Sequence, residues 1–499
     1  MFHYRKQMLR VAALLMWFSL GSATSQAGSQ ANSLGAGTAP TIIDNGCSQT
    51  LDAAENRTFN TQDIALLKAL RLSQPCPVKV TMNATVAFVN NLLNKAFDDP
   101  YTYMISPEDA SDLDDDSSGK TADFSGGGVG VVLQWGHAEG GDKRRIFTGH
   151  IFRVVDGSPA AERKIKSTNR LIAVDGKPVI GHDFQEVLKM VRGPIGTPVT
   201  LTIVAGRRIM HVHITRKAII SKPVFFKDLG DGITAIVIST YDVVGVPELV
   251  QKDLTATLPS TKAYVVDERG NPGGWVDECV ASSQLFIRTG VILTEDNRVV
   301  GSVDNPQFSK LEYAVTATSA TERTLTAGGK QLSSKTLTRL PYLLNGRPVV
   351  LLTDGASASC SEIFAGALKE NYQPGPDWQG AIMIGTRTFG KGIGQTYVDG
   401  YQGSRLRVTA FQNLTPANHW LGDAHKKRIG LDPDIVVENP PDAFPYSKDD
   451  RQAAFAKQFL LNELLDDPKT QIKSPVTSST AKPASSGFSA TTQMSLPSS

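Results

Sequence analysis

Long apolar runs are scarce in this 499-residue chain, and so are cysteine, histidine and any excess of one charge. Beyond the first residues no segment approaches the roughly 20 apolar residues of a membrane-crossing helix, so the mature chain is expected to fold in water. Lys and Arg number 51 against 49 Asp and Glu, a formal net charge of +2. With no basic stripe interleaved with aromatics, that balance gives no electrostatic case for a nucleic-acid partner. The four cysteines, Cys47, Cys76, Cys279 and Cys360, contain no CxxC spacing, which removes zinc ribbons and thioredoxin-type motifs. In an oxidising compartment they allow three disulfide connectivities, and sequence does not choose among them. His211 and His213 share one strand face and read as a solvated face rather than a metal site. His419 and His425 sit in no motif. No cofactor is implied.

What is present begins with Arg5, Lys6 and Arg10, then the apolar run Val11 to Leu20, then small residues ending at Ala23 or Ala27. This is the layout of a secretory signal peptide, too short for a comfortable membrane anchor. It predicts export, to a periplasm or outside the cell. Residues 28–55, rich in Gly, Ser, Ala and Thr, read as a flexible leader. Helical spacing over 56–120 predicts a small N-terminal helical domain ending in the acidic loop DLDDDSSGK. Five strand-like segments and the amphipathic stretch FQEVLKMV predict a mostly β module over 121–217. From 218 to 468 short β-branched strands alternate with helices, which argues a layered α/β core. The Ser/Thr/Ala/Pro-rich tail, 469–499, reads as disordered.

Chemistry concentrates in three segments of that core. In PVVLLTDGASASCSEIFAGALKE a strand runs into a small-residue turn and then a helix. Ser359 would stand at the helix N-terminus, where free N–H groups and the helix dipole favour a developing oxyanion. Taken alone, Ser359-Cys360-Ser361-Glu362 reads first as a capping box, a device that helices use without catalysis. In AIMIGTRTFGKGIGQTY, Lys391 lies between two glycines after an apolar strand; once desolvated it can lose its proton near neutral pH and serve as a base. Gly385 to Lys391 also matches G-x-x-x-x-G-K. The next residue, Gly392, supplies no hydroxyl for a metal ion, and the continuation reads as a strand, so a phosphate-binding loop is rejected. In VVDERGNPGGWVDECV a strand turns through Asn-Pro-Gly-Gly into a helix, and the N–H groups of Gly273 or Gly274 could face the same site.

These segments in this order, ERGNPGG, GASASCSEIFAGALKE, TRTFGKGIGQTY and GLDPDIVVE, resemble the carboxy-terminal processing peptidases, or tail-specific proteases. With DPYTYMISPED and GGGVGVVL the likeness runs from Phe88 to Val437. It implies a crotonase-like or ClpP-like α/β core and a Ser/Lys-dyad serine endopeptidase. Ser359 matches the nucleophile, Lys391 the general base and Gln395 the residue that orients the lysine. The N–H of Cys360, with that of Gly273 or Gly274, matches the oxyanion hole. The β module is similar to a PDZ domain, with Gly127, Gly128, Val129, Gly130 and Val131 in its carboxylate-binding loop and following strand. The partners so implied are proteins or peptides with accessible C-termini. Three features depart from the pattern: Glu268 where an apolar residue is usual, Cys360 in place of alanine, and the insertion NYQPGPDWQG. In the β module Lys164, Ser167, Thr168 and Asn169 replace a glycine and a Pro-Gly-Asp turn, and WGHAEGGDKRR lengthens a hairpin. The competing reading is a non-catalytic PDZ scaffold on a protease-like core, against which Ser359, Lys391 and Gln395 together argue.

Overall fold

The computed structural model describes residues 44–465 apart from 98, 111–126, 138–144, 156, 167, 220–221, 301–304, 376, 441–442 and 444. The expected signal peptide, most of the leader, the acidic loop, the start of the β module, the tip of the WGHAEGGDKRR insertion, Ser167 and the tail lie outside the described residues.

Three helices come first: α1 (Cys47–Arg57), α2 (Gln62–Ser73) and α3 (Met82–Ala96). Helix α1 corrects the leader, which the sequence reading carried to residue 55. Its sequence CSQTLDAAENR is polar, but Leu51 and Ala54 are buried and a Cys47–Cys76 disulfide ties its first residue to the chain beyond α2. The helices share their core with a sheet. Leu51, Leu67, Leu92 and Leu93 pack with Met104 of β1 (Tyr103–Ile105) and with Leu406 and Val408 further along the chain.

The β module follows as β2 (Val131–His137), β3 (Arg145–Val154), the short helix α4 (Pro159–Glu162), β4 (Arg170–Val174), β5 (Lys177–Pro178), α5 (Phe184–Val191), β6 (Pro198–Ala205) and β7 (Arg208–Thr215). Its sheet runs β2-β3-β4-β6-β7, with β5 on β4. Phe184, Val187 and Val191 of α5 close the core against Phe147, Leu171 and Leu201, as their three- and four-residue spacing requires. His211 and His213 each meet a threonine of β6, Thr202 at 3.2 Å and Thr200 at 3.0 Å. Among the described residues no group of three metal-ligating side chains occurs. Nor is any described helix long and apolar enough to cross a membrane.

The core contains β8 (Val224–Gly230), β9 (Ile233–Ile238), α6 (Val246–Thr257), β10 (Ala263–Asp267), α7 (Val276–Ser283), β11 (Gly290–Arg298), β12 (Phe308–Val315), β13 (Ala320–Thr326) and β14 (Gln331–Leu337). It continues with β15 (Val349–Thr353), α8 (Cys360–Glu370), β16 (Ile382–Gly385), β17 (Ile393–Asp399), β18 (Arg405–Leu414), β19 (Ile435–Val436) and α9 (Arg451–Phe459). One sheet has the order β19-β16-β15-β10-β9-β8 and is parallel except for the β8 edge. Its central strands AYVVD and VVLLT are buried throughout and apolar up to their closing Asp267 and Thr353, as in a parallel sheet covered on both faces. A second sheet has the order β1-β18-β11-β12-β13-β14, with β17 also on β18. Strands β10, β15 and β16 are neighbours, so the turns leaving their carboxyl ends converge, the usual place for a site in an open α/β sheet.

Candidate active site

Three converging turns and two strands of the second sheet build the site. The turn after β15 is zipped to the turn after β10. Asp354 accepts the N–H of Gly270 at 3.0 Å, Ser357 Oγ donates to the Glu268 carbonyl at 2.8 Å, and the Ala358 N–H donates to the Asn271 carbonyl at 2.9 Å. The turn after β16 joins them through the Phe389 N–H, 2.9 Å from the Ser357 carbonyl.

Ser359 leaves this turn with φ +56°, a left-handed conformation that a residue with a Cβ holds only when its surroundings enforce it. Glu362 is a main enforcer. Its carboxylate accepts the Ser359 N–H at 2.9 Å, which is the glutamate half of the capping box seen in the sequence. The same carboxylate also accepts the N–H of Lys391 at 2.8 Å, the N–H of Gly390 at 2.7 Å and the hydroxyl of Thr388 at 2.6 Å. One oxygen, Oε2, therefore holds the backbone of both Ser359 and Lys391. Sequence reasoning saw Glu362 only as a cap, because its second set of partners lies 26 to 29 residues away.

Lys391 is partly buried, and its Nζ lies 4.8 Å above the ring of Tyr101. Burial first, then the positive charge of Arg407, pull the ammonium down to about 7, against the opposing pull of Asp99, Glu362 and Asp242. Gln395, which the resemblance has orienting Lys391, makes its described hydrogen bonds elsewhere. Its carbonyl accepts from Arg407 Nη2 at 3.0 Å and its amide donates to Thr409 Oγ1 at 3.3 Å, a permanently charged donor having claimed the amide oxygen. Arg407 and Tyr101 are further site residues that sequence reasoning missed. Arg407 carries no motif, standing in the alternating strand RLRVTAFQNL; Tyr101 lies inside the quoted DPYTYMISPED, where nothing marks one aromatic from the next.

The Asn-Pro-Gly-Gly turn passes directly over Ser359. A Cβ on Gly273 would come to 2.7 Å from the Ala358 carbonyl and 2.8 Å from both Ser359 Cβ and the Cys360 nitrogen. With φ at +95° the position also suits glycine alone. Gly273→Ala is expected to displace the Ser359 turn and reduce kcat/KM about a hundredfold, the effect of an ångström-scale misplacement; peptide-cleavage kinetics on the folded variant measure it. The Gly273 N–H is already spent on Asn271 Oδ1 at 2.9 Å, which leaves Gly274 as the available donor of the two. Among the described residues the Cys360 N–H, first in α8, has no acceptor, as expected for the opening N–H of a helix.

Glu268 is fully buried beneath this turn. It accepts from the Tyr241 hydroxyl at 2.6 Å and from Asn271 Nδ2 at 2.7 Å. Burial pushes its carboxyl up to about 8. The acid thus replaces an apolar residue by answering two buried polar groups, and Asn271 in turn fixes Gly273.

Cys360 is bonded to Cys279 of α7, so neither thiol is free. The disulfide staples the first residue of α8 to the helix that follows Gly274. It also excludes Cys360 as a nucleophile. Replacing both cysteines by alanine is expected to lower the unfolding free energy by about 2–4 kcal/mol, read by denaturant titration, while native wild-type protein takes up no maleimide.

In the β module Gly128 pairs with Lys217, donating to its carbonyl at 2.9 Å and accepting its N–H at 3.0 Å. The Gly130 carbonyl accepts from Val155 and the Val129 carbonyl from Ala160. A Cβ on Gly130 would meet Ser158 at 2.1 Å. Strand β2 is an edge strand, bonded to β3 on one side. Lys164, where a glycine is usual, adopts φ +58°, so the lysine keeps the glycine-type turn.

An α/β core with this strand-end site, preceded by a separate β module, has the organisation of a serine-type peptidase carrying a PDZ domain. Residues 235–437 match peptidase family S41 and residues 120–204 match the PDZ domain. The chain carries a peptidase family S41 region and a PDZ region. It is 29% identical over 350 residues to a carboxy-terminal-processing protease of Bartonella bacilliformis, covering 68% of this chain and 67% of that one. It is 31% identical over 346 residues to a probable CtpA-like serine protease of Staphylococcus haemolyticus, covering 69% of this chain and 58% of that one. Among solved structures the photosystem II D1 C-terminal processing protease superposes with a TM-score of 0.56 at 20% identity, covering 82% of this chain and 95% of that one; that likeness concerns the fold.

Proposed function

We propose that the chain is an exported endopeptidase that takes hold of C-terminal tails through its PDZ domain and hydrolyses peptide bonds at a Ser359/Lys391 dyad. The observation that carries the reading is the single Glu362 oxygen that accepts the N–H of both Ser359 and Lys391. Neutral Lys391 takes the Ser359 hydroxyl proton as Oγ adds to the peptide carbonyl. The oxyanion is met by the N–H of Cys360 and that of Gly274, at the positive end of α8. The C–N bond breaks as Lys391 returns the proton to the leaving amine. Water then hydrolyses the acyl-enzyme by the same proton route. The parallel sheet with helices on its faces supports a crotonase-like or ClpP-like core. Both disulfides support an oxidising destination, and with it the signal peptide.

The tail would add as a strand to the free edge of β2, its carboxylate held by the N–H groups of Val129 and Gly130, since that of Gly128 is spent on Lys217. A charge-assisted hydrogen bond contributes about 1.5–3 kcal/mol. Amidating a substrate C-terminus is therefore expected to weaken binding roughly ten- to a hundredfold, measured by titrating free-acid and amidated peptides. Incubation with unfolded proteins bearing apolar C-termini tests the whole reading: mass spectrometry should find internal cleavage that an amidated tail slows. Intact substrate throughout would refute it.

A further inference from the structure

We propose that Arg407 is a positioning residue for the reaction, the fixed cation that keeps Lys391 in its neutral, proton-accepting form and seats Gln395. The inference rests on the Ser359/Lys391 reading above. Lys391 and Arg407 share one aromatic wall: Lys391 Nζ is 4.8 Å and Arg407 Cζ 6.0 Å from the Tyr101 ring centroid. The guanidinium is also ringed by Tyr103 and Tyr397, at 5.8 and 5.9 Å. Its hydrogen bonds go to neutral groups, the Tyr103 hydroxyl at 3.2 Å and the Gln395 carbonyl at 3.0 Å. Its buried Nε has no partner, and among the described residues it forms no ion pair. A permanent charge so weakly compensated is felt by its neighbours rather than cancelled.

Other groups face Lys391 from every side. Asp99 precedes Tyr101, Asp242 follows β9, Glu362 lies on α8, and Asp423 pairs with Lys391 in an isolated bridge. The carboxylates Asp99, Glu362 and Asp242 favour the ammonium, as does the face of the Tyr101 ring. Arg428 is turned onto the ring of Phe389 at 4.0 Å. Burial and Arg407 are the two influences that disfavour a second charge. Without Arg407, the carboxylates and the ring would hold a proton on Lys391 at neutral pH.

The test is the pH dependence of kcat/KM on a short peptide for wild type, Arg407→Met, Arg407→Gln and Arg407→Lys, with Lys391→Ala alongside. Loss of the charge should raise the acid-limb midpoint by about one unit. Activity at pH 7 then falls about fivefold from ionisation alone, a loss that closes by about pH 9.5. Arg407→Lys, which keeps the charge, should keep the midpoint even where the plateau drops. A merely structural role would lower the plateau in every variant and leave the midpoint in place, and that result overturns the inference. Either neutral variant suffices, so misfolding of one leaves the other to decide. Full activity of Lys391→Ala would instead overturn the dyad itself.

Discussion

Ser359→Ala, Lys391→Ala and Lys391→Arg are each expected to reduce peptide hydrolysis about ten-thousandfold or more while leaving the fold intact. Without Oγ no acyl-enzyme forms; without a neutral amine the hydroxyl keeps its proton. The arginine variant is the most informative of the three. It preserves charge and approximate length, yet guanidinium does not give up its proton at any working pH. An effect arising from positive charge alone would survive it. The wild-type profile follows from the lysine's environment. Because Lys391 is pulled down to about 7 and the neutral form is the base, kcat/KM should rise with pH through about 7. Below that it should fall tenfold per unit. Wild-type turnover by a folded Ser359→Ala protein would remove the assignment altogether.

The sequence exposed elements whose side chains announce their surroundings. AYVVD, VVLLT and IMIG are apolar up to their last residue, and each is a buried strand of the parallel sheet. The FQEVLKMV helix and the strand after Lys391, which excluded a phosphate loop, stand where pattern and period put them. The four antiparallel strands of residues 290–337 were not legible. FSKLEYAV, ATERTLT and QLSSKTL carry charge and hydroxyls at most positions, since much of their surface is only partly buried or exposed, so the period-two signal is faint. Helix α1 was hidden for the related reason that a disulfide and the burial of Leu51 and Ala54 fix it, neither of which a polar window reveals. At the site, Ser359, Lys391 and the Asn-Pro-Gly-Gly turn stood out through local spacing. Glu362, Arg407 and Tyr101 act across distances along the chain that spacing does not encode.

Glu362 is where the second large effect is expected. Its two oxygens accept four donors, the N–H groups of Ser359, Gly390 and Lys391 and the Thr388 hydroxyl, in a place with no access to water. Glu362→Ala would leave all four unanswered at about 1–3 kcal/mol each, enough to unfold a domain of ordinary stability. Glu362→Gln separates geometry from folding. The amide fills the same space, but one of its ends presents N–H groups to two donors, so one pair of contacts turns repulsive. The loosened turn should cost about a hundredfold or more in kcat/KM with substrate binding little changed. The pH profile gives this residue a signature of its own. The carboxylate favours the Lys391 ammonium, so removing its charge should move the acid-limb midpoint to lower pH, opposite to the shift expected at Arg407. A plateau reduced at every pH together with a lowered midpoint identifies Glu362 as the tie between Ser359 and Lys391. A variant with wild-type plateau and midpoint would mean that the shared oxygen does not set the geometry of the pair.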